Sequence, residues 1–165
     1  MVSPELIRRY PFFGGLSYEE LELIAHAGQE QTVATDHRFF SEGDELAAFY
    51  LVVEGAVAIV MAVPDRDTAQ TVAGQLMGEI ATCDVTVSTV GTGEVFGWAA
   101  LVPPNAATAG AKAVTPCRVV AFDMAALRPA FEGNWHFAYL LTQKMAQVIS
   151  DRLRDIRIET LVLQR

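Results

Sequence analysis

A chain of 165 residues is long enough to bury one hydrophobic core, and we expect a single domain. Residues 1–133 carry 7 basic and 17 acidic side chains, a balance of −10, whereas residues 134–165 carry 5 and 3, a balance of +2. An acidic body without a basic stripe excludes a direct nucleic-acid-binding surface, and it disfavours an anionic ligand unless nearby cations compensate.

Cys83 and Cys117 are the only cysteines, so the sequence predicts no disulfide framework of the secreted type. We expect both thiols to be small apolar packing residues in a reducing compartment. Charged residues within the first nine positions interrupt any secretory signal. The longest apolar run, Ala56–Val63, is too short to span a bilayer. These features predict a soluble cytoplasmic protein without membrane contact.

Two helices are predicted at the N-terminus. Residues 4–10 form a short helix that Pro11 ends. Ser17 and Glu20 have the spacing of a capping box, in which each side chain satisfies a backbone N–H of the other residue. The helix that they begin is predicted to end at Gly28.

Residues 29–122 contain short apolar or alternating segments separated by Gly and Pro, which predicts a β-sandwich or jelly roll. The segments outside the glycine-rich region described below are Gln31–Ala34, 39–44, Phe49–Val53, Ala56–Val63, Val85–Val90, Ala109–Val114 and Arg118–Phe122. Asp65–Cys83 is predicted to be an inserted loop with one or two helical turns, and a surface elaboration is the simpler interpretation of it.

The C-terminal residues predict two helices. Asp123 can cap a short helix that Pro129 disturbs, and Asn134 can cap a long one over Asn134–Gln164. One set of residues on the long helix has the spacing of a coiled-coil seam: Met145, Ile149, Leu153, Ile156, Thr160 and Leu163. A second, apolar set can face the strands: Phe137, Leu140, Leu141 and Val148. Two apolar faces favour a homodimer through this helix, and the alternative is a helix folded back entirely on its own strands.

The segment from Gly91 to Ala113, called the cassette below, combines a glycine-rich turn, a short apolar turn of helix, a loop with two prolines and the start of a strand. Gly97 opens the turn of helix, where backbone N–H groups lack intrahelical partners. A glycine at such a position lets a ligand approach the backbone closely, and the exposed N–H groups favour an anion.

The run Phe96-Gly97-Trp98-Ala99-Ala100-Leu101, followed after a loop by Ala107-Thr108-Ala109, resembles the phosphate-binding cassette of the cyclic nucleotide-binding domain family, which includes catabolite-activator-type regulators. Residues 10–17 and 50–57 are similar to other segments of that family. The resemblance implies a mainly β fold with flanking helices. In it, N-terminal helices (1–28) precede a β jelly roll, or double-stranded β-helix (29–122), and C-terminal helices (123–165) follow.

The resemblance also implies a ligand-binding site, formed by Phe96, Gly97, Trp98, Ala99, Ala107, Thr108, Ala109 and, on the long helix, Arg152. The family's glutamate for the ribose hydroxyl falls on Trp98, and its arginine for the cyclic phosphate falls on Ala107. The loss of both contacts argues against cyclic AMP and cyclic GMP as ligands. Trp98 either stacks on a ring or fills the vacated space, and we favour filling. Arg152 can supply the missing cation at the site. The alternative is an arginine that is solvated or that pairs with a second copy of the chain.

Nothing in the sequence indicates an enzyme. His26, His37 and His136 fall on separate predicted elements, and no metal-ligand set, catalytic triad or Walker loop is present. No cofactor is predicted with certainty.

The resemblance implies a non-catalytic regulatory or sensor domain that signals through ligand-linked or partner-linked movement of the C-terminal helix. The alternatives are an interaction or dimerisation module with a vestigial pocket, and a sensor of haem or of another small molecule. Catabolite-activator-type regulators continue after this helix into a helix-turn-helix domain, so we expect a stand-alone sensor that acts on a separate effector protein.

Overall fold

The computed structural model describes residues 1–64 and 82–163 of the chain. Twelve helices and strands follow one another along these residues: α1 (Pro4–Arg8), α2 (Tyr18–Ala27), β1 (Gly28–Val33), β2 (Arg38–Phe40), β3 (Ala48–Glu54), β4 (Val57–Pro64), β5 (Thr82–Val90), β6 (Val95–Phe96), β7 (Gly110–Ala113), β8 (Cys117–Asp123), α3 (Met124–Gly133) and α4 (Trp135–Leu163). Short 3-10 turns occur at Pro11–Phe13 and Trp98–Ala100.

The strands form two antiparallel four-stranded sheets, in the orders β1-β8-β3-β6 and β2-β7-β4-β5. Their interleaved order along the chain is that of a jelly roll, because consecutive strands repeatedly cross from one sheet to the other. Helices flank this roll at both ends of the chain. The predicted mainly β fold with N-terminal helices and a long C-terminal helix is therefore confirmed.

The core lies between the sheets and beneath the helices. Phe49 and Leu51 on β3 and Phe122 on β8 are fully buried, and the rings of Phe49 and Phe122 stack with centroids 4.8 Å apart. The first half of β4 is buried as well, whereas its second half is mostly exposed and pairs only with β5. The pair β4–β5 therefore extends beyond the roll as a two-stranded ribbon.

The capping predictions hold at both ends of the chain. The Glu20 N–H donates to Ser17 Oγ, and the Ser17 N–H donates to Glu20 Oε2, which makes the predicted capping box of α2. Asn134 Oδ1 accepts from the Phe137 N–H at the start of α4. The Glu20 carboxylate also lies 3.3 Å from His136 Nδ1, so one carboxylate links the beginnings of α2 and α4.

The apolar faces of α4 differ from the predicted division. Phe137 and Leu141 are fully buried as expected, but Met145, assigned to the intermolecular seam, is also fully buried in the core. The seam prediction is therefore wrong at Met145, because the helix turns this residue toward its own roll. Leu153 and Ile156 remain 48% and 40% exposed. The side chains of Thr160 and Leu163 lie outside the described part of the chain.

Several smaller predictions need correction. Helix α1 ends at Arg8 rather than at residue 10, and α3 extends from Met124 to Gly133 with Pro129 inside it. Cys117 is a buried packing residue as expected, but Cys83 is exposed on β5. Residues 65–81 of the predicted insertion lie outside the described residues. Among the helices that are described, none has the length and apolarity needed to cross a membrane.

Candidate functional site

The cassette begins where β6 runs into the 3-10 turn at Trp98–Ala100. Gly97 links them with φ of 78°, in the left-handed region that L side chains rarely adopt. A Cβ at this position would lie 3.2 Å from Tyr50 Cδ2 and 3.4 Å from the Ala48 carbonyl oxygen. Both the backbone conformation and the close approach to β3 therefore require glycine here.

Asn105 holds the proline-containing loop against this turn. Its side-chain Nδ2 donates to the carbonyl oxygens of Ala99 and Ala100, each at 2.9 Å. Its backbone adopts φ of 65°, which asparagine tolerates better than most residues, and its carbonyl accepts from the Leu46 N–H at 2.8 Å. The loop therefore has a defined path from the 3-10 turn to β7. The sequence analysis did not identify this role of Asn105.

The end of the loop is fixed by a turn from another part of the chain. The Gly43 N–H donates to the Ala107 carbonyl, and the Ala107 N–H donates to the Asp44 carbonyl, both at 2.8 Å. Glu45 and Ala106 form an isolated β-bridge beside them. These backbone contacts place Ala107 on the inside of the roll, where it is only 5% exposed.

A cavity of about 300 Å³ lies between the roll and α4. All eight residues of the predicted site line it: Phe96, Gly97, Trp98, Ala99, Ala107, Thr108, Ala109 and Arg152. The structure thus brings the two halves of the cassette together with one residue of the C-terminal helix. The role of these residues in binding a ligand stays a prediction.

The sequence analysis did not assign most of the other lining residues to the site. They come from the strands and from α4, and comprise Phe40, Leu46, Ile59, Met61, Val87, Ser88, Val95, Val148, Ile149, Leu153 and Ile156. The spacing of Ile59 and Met61 was an available signal, because residues two apart on a strand point to the same face. The contribution of Ile149, Leu153 and Ile156 was hidden by their assignment to an intermolecular seam.

The two positions at which the resemblance places charged contacts carry apolar walls. Ala107 offers only a methyl group, and Trp98 is half-buried and packs against the core. The indole of Trp98 forms part of the wall, and about 300 Å³ remains beside it. That Trp98 fills the space of the family's glutamate stays a prediction.

Arg152 is the one cationic side chain among the described residues that line the cavity. Its Nη2 lies 3.2 Å from Glu94 Oε1, and its Nη1 donates to the Thr89 carbonyl oxygen at 3.2 Å. The other carboxylate oxygen of Glu94 accepts from the Gly91 N–H at 2.6 Å. Arg152 is thus paired within its own chain, and its part in binding a ligand stays a prediction.

A second cavity, of about 330 Å³, lies on the other side of this ion pair. The two cavities share Val95, Val148 and Arg152 as lining residues. The second cavity is also lined by the acidic side chains of Glu94, Asp151 and Asp155 and by Lys144. It is therefore more polar than the first and lies between α4 and the turn at Pro11–Phe13. The Glu94–Arg152 pair stands between an apolar compartment and a charged one.

The aromatic side chains behind the cassette stabilise one wall of the first cavity. The Tyr50 and Phe96 rings stack with centroids 4.9 Å apart, and Phe40 lies 6.2 Å from Phe96. Burial raises the pKa of the Tyr50 hydroxyl above its usual value of 10.0, so this group is neutral at physiological pH. Within the part of the chain that the structure describes, no group of three or more His, Cys, Asp or Glu residues could hold a metal ion.

No protein-family model and no curated protein matches the chain, but solved structures do. A Geobacter metallireducens GS-15 protein, named for cyclic nucleotide binding, matches with a TM-score of 0.74 and 29% identity, over 93% of this chain and 99% of that one. A cyclic nucleotide-binding domain from Methylobacillus flagellatus KT matches with a TM-score of 0.72 and 18% identity, over 95% of this chain and 79% of that one.

The catabolite activator protein of Thermus thermophilus gives a TM-score of 0.64 and 23% identity. The match covers 93% of this chain and 63% of that protein. These likenesses confirm the resemblance that the sequence predicted: the chain has the fold of cyclic nucleotide-binding domains.

Proposed function

We propose that the chain is a non-catalytic sensor domain in which a small molecule in the first cavity changes the position of α4 relative to the β-roll. One observation carries this proposal: α4 forms one wall of the cavity, through Val148, Ile149, Arg152, Leu153 and Ile156, and the roll forms the others. A molecule between them contacts both bodies at once. It therefore stabilises the position of α4 relative to the roll in which it binds most tightly.

The uneven packing of α4 supports this mechanism. Its first turns are held in the core by Phe137, Leu141 and Met145, all fully buried. Farther along, Leu153 and Ile156 line the cavity while staying partly exposed. A segment with fewer buried apolar contacts opens at a lower free energy than the rest of a domain. The second half of α4 is thus the part that a ligand would reposition.

The electrostatics of the cavity argue against cyclic AMP and cyclic GMP. A cyclic phosphate carries a negative charge, and an ionised group in an apolar site needs a partner. Ala107 supplies none, and Arg152 is already paired with Glu94. The sensor would therefore answer to a molecule other than the classical cyclic nucleotides.

We further propose that two copies associate through α4. Leu153 and Ile156 are three residues apart and leave apolar surface exposed along the helix. A two-fold pairing of helices would cover that surface and would carry ligand-dependent movement from one copy to the other. Sedimentation equilibrium should then give a dimer for the parent chain and a monomer for Leu153→Glu, while Ile158→Glu, changed at another exposed position of α4, should remain dimeric.

An interaction module with an unused pocket is the second candidate function. It is favoured by Trp135 and Tyr139, which are four residues apart on α4 and are 80% and 63% exposed. Large aromatic side chains are enriched at the centres of protein interfaces. In that case a protein partner at the start of α4, and not a ligand, would control the helix.

Ligand screening followed by hydrogen exchange separates the two candidates. Cyclic mononucleotides, cyclic dinucleotides, haem and neutral aromatic compounds would be tested for a rise in melting temperature, which specific binding to the folded state produces. A compound that binds in the cavity should change amide exchange across residues 146–158 of α4. A compound that binds there without affecting that segment would contradict the sensor mechanism, and the absence of any binder would favour the interaction module.

A further inference from the structure

The polar groups facing the first cavity are few and, apart from one, uncharged. Among the described lining residues, polar side-chain atoms are contributed by Ser88, Trp98, Thr108 and Arg152 only. The remaining lining residues are aliphatic, aromatic or glycine. Hydroxyl groups and an indole N–H can each form a hydrogen bond with a neutral polar atom, but none of them compensates a charge.

The charge of Arg152 is compensated by a carboxylate of the same chain. Its side chain is only 17% exposed, and both ends of its guanidinium have partners, Glu94 and the Thr89 carbonyl. An anionic ligand would have to compete with Glu94 for this cation. The carboxylate already compensates the charge of Arg152, so the cavity offers little net positive charge to an anion. The pair therefore weakens the attraction of the cavity for anions.

We propose that the first cavity binds an uncharged, largely apolar molecule that contains an aromatic ring and one or two hydrogen-bonding atoms. This inference rests on the proposed sensor function and names its ligand class. The ring would contact the aromatic wall formed by Phe40, Phe96 and Trp98, and its polar atoms would face Ser88 or Thr108. A cavity of about 300 Å³ suits a molecule of two fused or linked rings, since small-molecule sites begin at roughly this size.

Two fluorescent probes that differ by one charged group test the ligand class. N-phenyl-1-naphthylamine is neutral, and 8-anilinonaphthalene-1-sulfonate has the same ring system with an added sulfonate. Titration of the full chain should show that the neutral probe binds at least about tenfold more tightly, because the sulfonate would enter an apolar site without a free cation. Cyclic AMP should fail to displace the neutral probe.

Three variants locate the binding and test the role of the ion pair. Leu153→Trp places a bulky ring at a partly exposed position of the cavity wall and should abolish binding of the neutral probe. Ile158→Trp, on the same helix but not among the cavity residues, is the matched control and should bind as the parent does. Glu94→Gln releases the charge of Arg152 and should strengthen sulfonate binding about threefold to tenfold relative to the neutral probe.

The outcomes distinguish this inference from the sensor function. Tighter binding of the sulfonate or of cyclic AMP by the parent chain would overturn the ligand class, even if exchange in α4 changed. Equal binding of the neutral probe by the Leu153→Trp and Ile158→Trp variants would overturn the location. Binding of the neutral probe without any change of exchange at residues 146–158 would uphold the ligand class and overturn the sensor mechanism alone.

Discussion

The guanidinium of Arg152 on α4 lies 3.2 Å from the carboxylate of Glu94, in the turn that precedes β6. The same carboxylate accepts from the Gly91 N–H, so it fixes the turn and the helix at once. Because Arg152 lines both cavities, this contact joins the second half of α4 to the roll at the boundary between them. One side chain of the helix therefore forms part of the wall of both cavities.

Loss of this ion pair should loosen α4 more than it destabilises the fold. Glu94 is half-exposed, so the Arg152→Met substitution should lower the free energy of unfolding by less than about 1 kcal/mol. Amide exchange across residues 146–158 should nevertheless rise severalfold, because the contact with the roll is lost while the buried residues near Met145 remain. Exchange measured by mass spectrometry tests this.

Arg154→Met is the control for this comparison. Arg154 lies two residues away and forms an ion pair with Asp151 on its own helix, at 4.0 Å between largely exposed side chains. Its removal should leave exchange in α4 near the parent value. Equal effects of the two substitutions would mean that Arg152 acts through helix propensity or general charge, and the link between roll and helix would be refuted.

Restoring the two missing contacts should create cyclic nucleotide binding. The register of the cassette places Ala107 and Trp98 where the family has its arginine and glutamate, and both residues line the cavity. Each charge-assisted contact of this kind contributes about 2–5 kcal/mol. The double variant Ala107→Arg with Trp98→Glu should therefore bind cyclic AMP at least about a hundredfold more tightly than the parent, as measured by calorimetry.

The position of the new arginine matters in that experiment. Ala109→Arg with Trp98→Glu adds the same groups but places the cation two residues along the same loop, at another lining position. This control should gain much less affinity. If it gains as much as the Ala107 variant, or if neither gains any, the alignment of the cassette with the family is wrong. Circular dichroism checks that each variant remains folded.

The local features of the fold could be predicted because they depend on neighbouring residues. Ser17 and Glu20 lie three positions apart, and that spacing alone determines the capping box. Alternation and turn residues likewise predicted the strands, and the cassette predicted that Phe96 and Ala107 would face one cavity. Each of these inferences needed only the sequence within a short window or a family pattern.

The features that failed depend on how distant elements pack. Two apolar faces on α4 do not determine which face meets the roll, so Met145 was placed on the wrong side. Glu94 and Arg152 are 58 residues apart, and no periodicity links a turn to a helix across that distance. The volume left beside Trp98 depends on the packing of every wall, which residue types alone do not specify.

Asn105 should be more important for stability than its place in an exposed loop implies. Asn105→Ala removes two hydrogen bonds to the Ala99 and Ala100 carbonyls and places at φ of 65° a residue that tolerates the left-handed region less well than asparagine. We expect a loss of about 1–3 kcal/mol in chemical denaturation. Asn105→Gly keeps the conformation and loses only the hydrogen bonds, so it should cost less. A larger loss for glycine than for alanine would contradict the assigned strain.

Stability should depend on Glu20 at neutral pH and lose that dependence in acid. Burial alone would raise the pKa of this carboxyl, but hydrogen bonds from Ser17 and the contact with His136 hold its pKa below 4.5. A carboxylate with a depressed pKa stabilises the fold above its unfolded pKa, and the contribution is lost as pH falls through the folded pKa.

Glu20→Gln keeps the shape and an acceptor for the cap, so it should cost about 1 kcal/mol at pH 7. The difference from the parent should shrink below pH 4.5 in denaturation curves, whereas Glu19→Gln, at the exposed neighbouring position, should match the parent throughout. A constant difference at all pH values would assign the effect of Glu20 to packing and not to its charge.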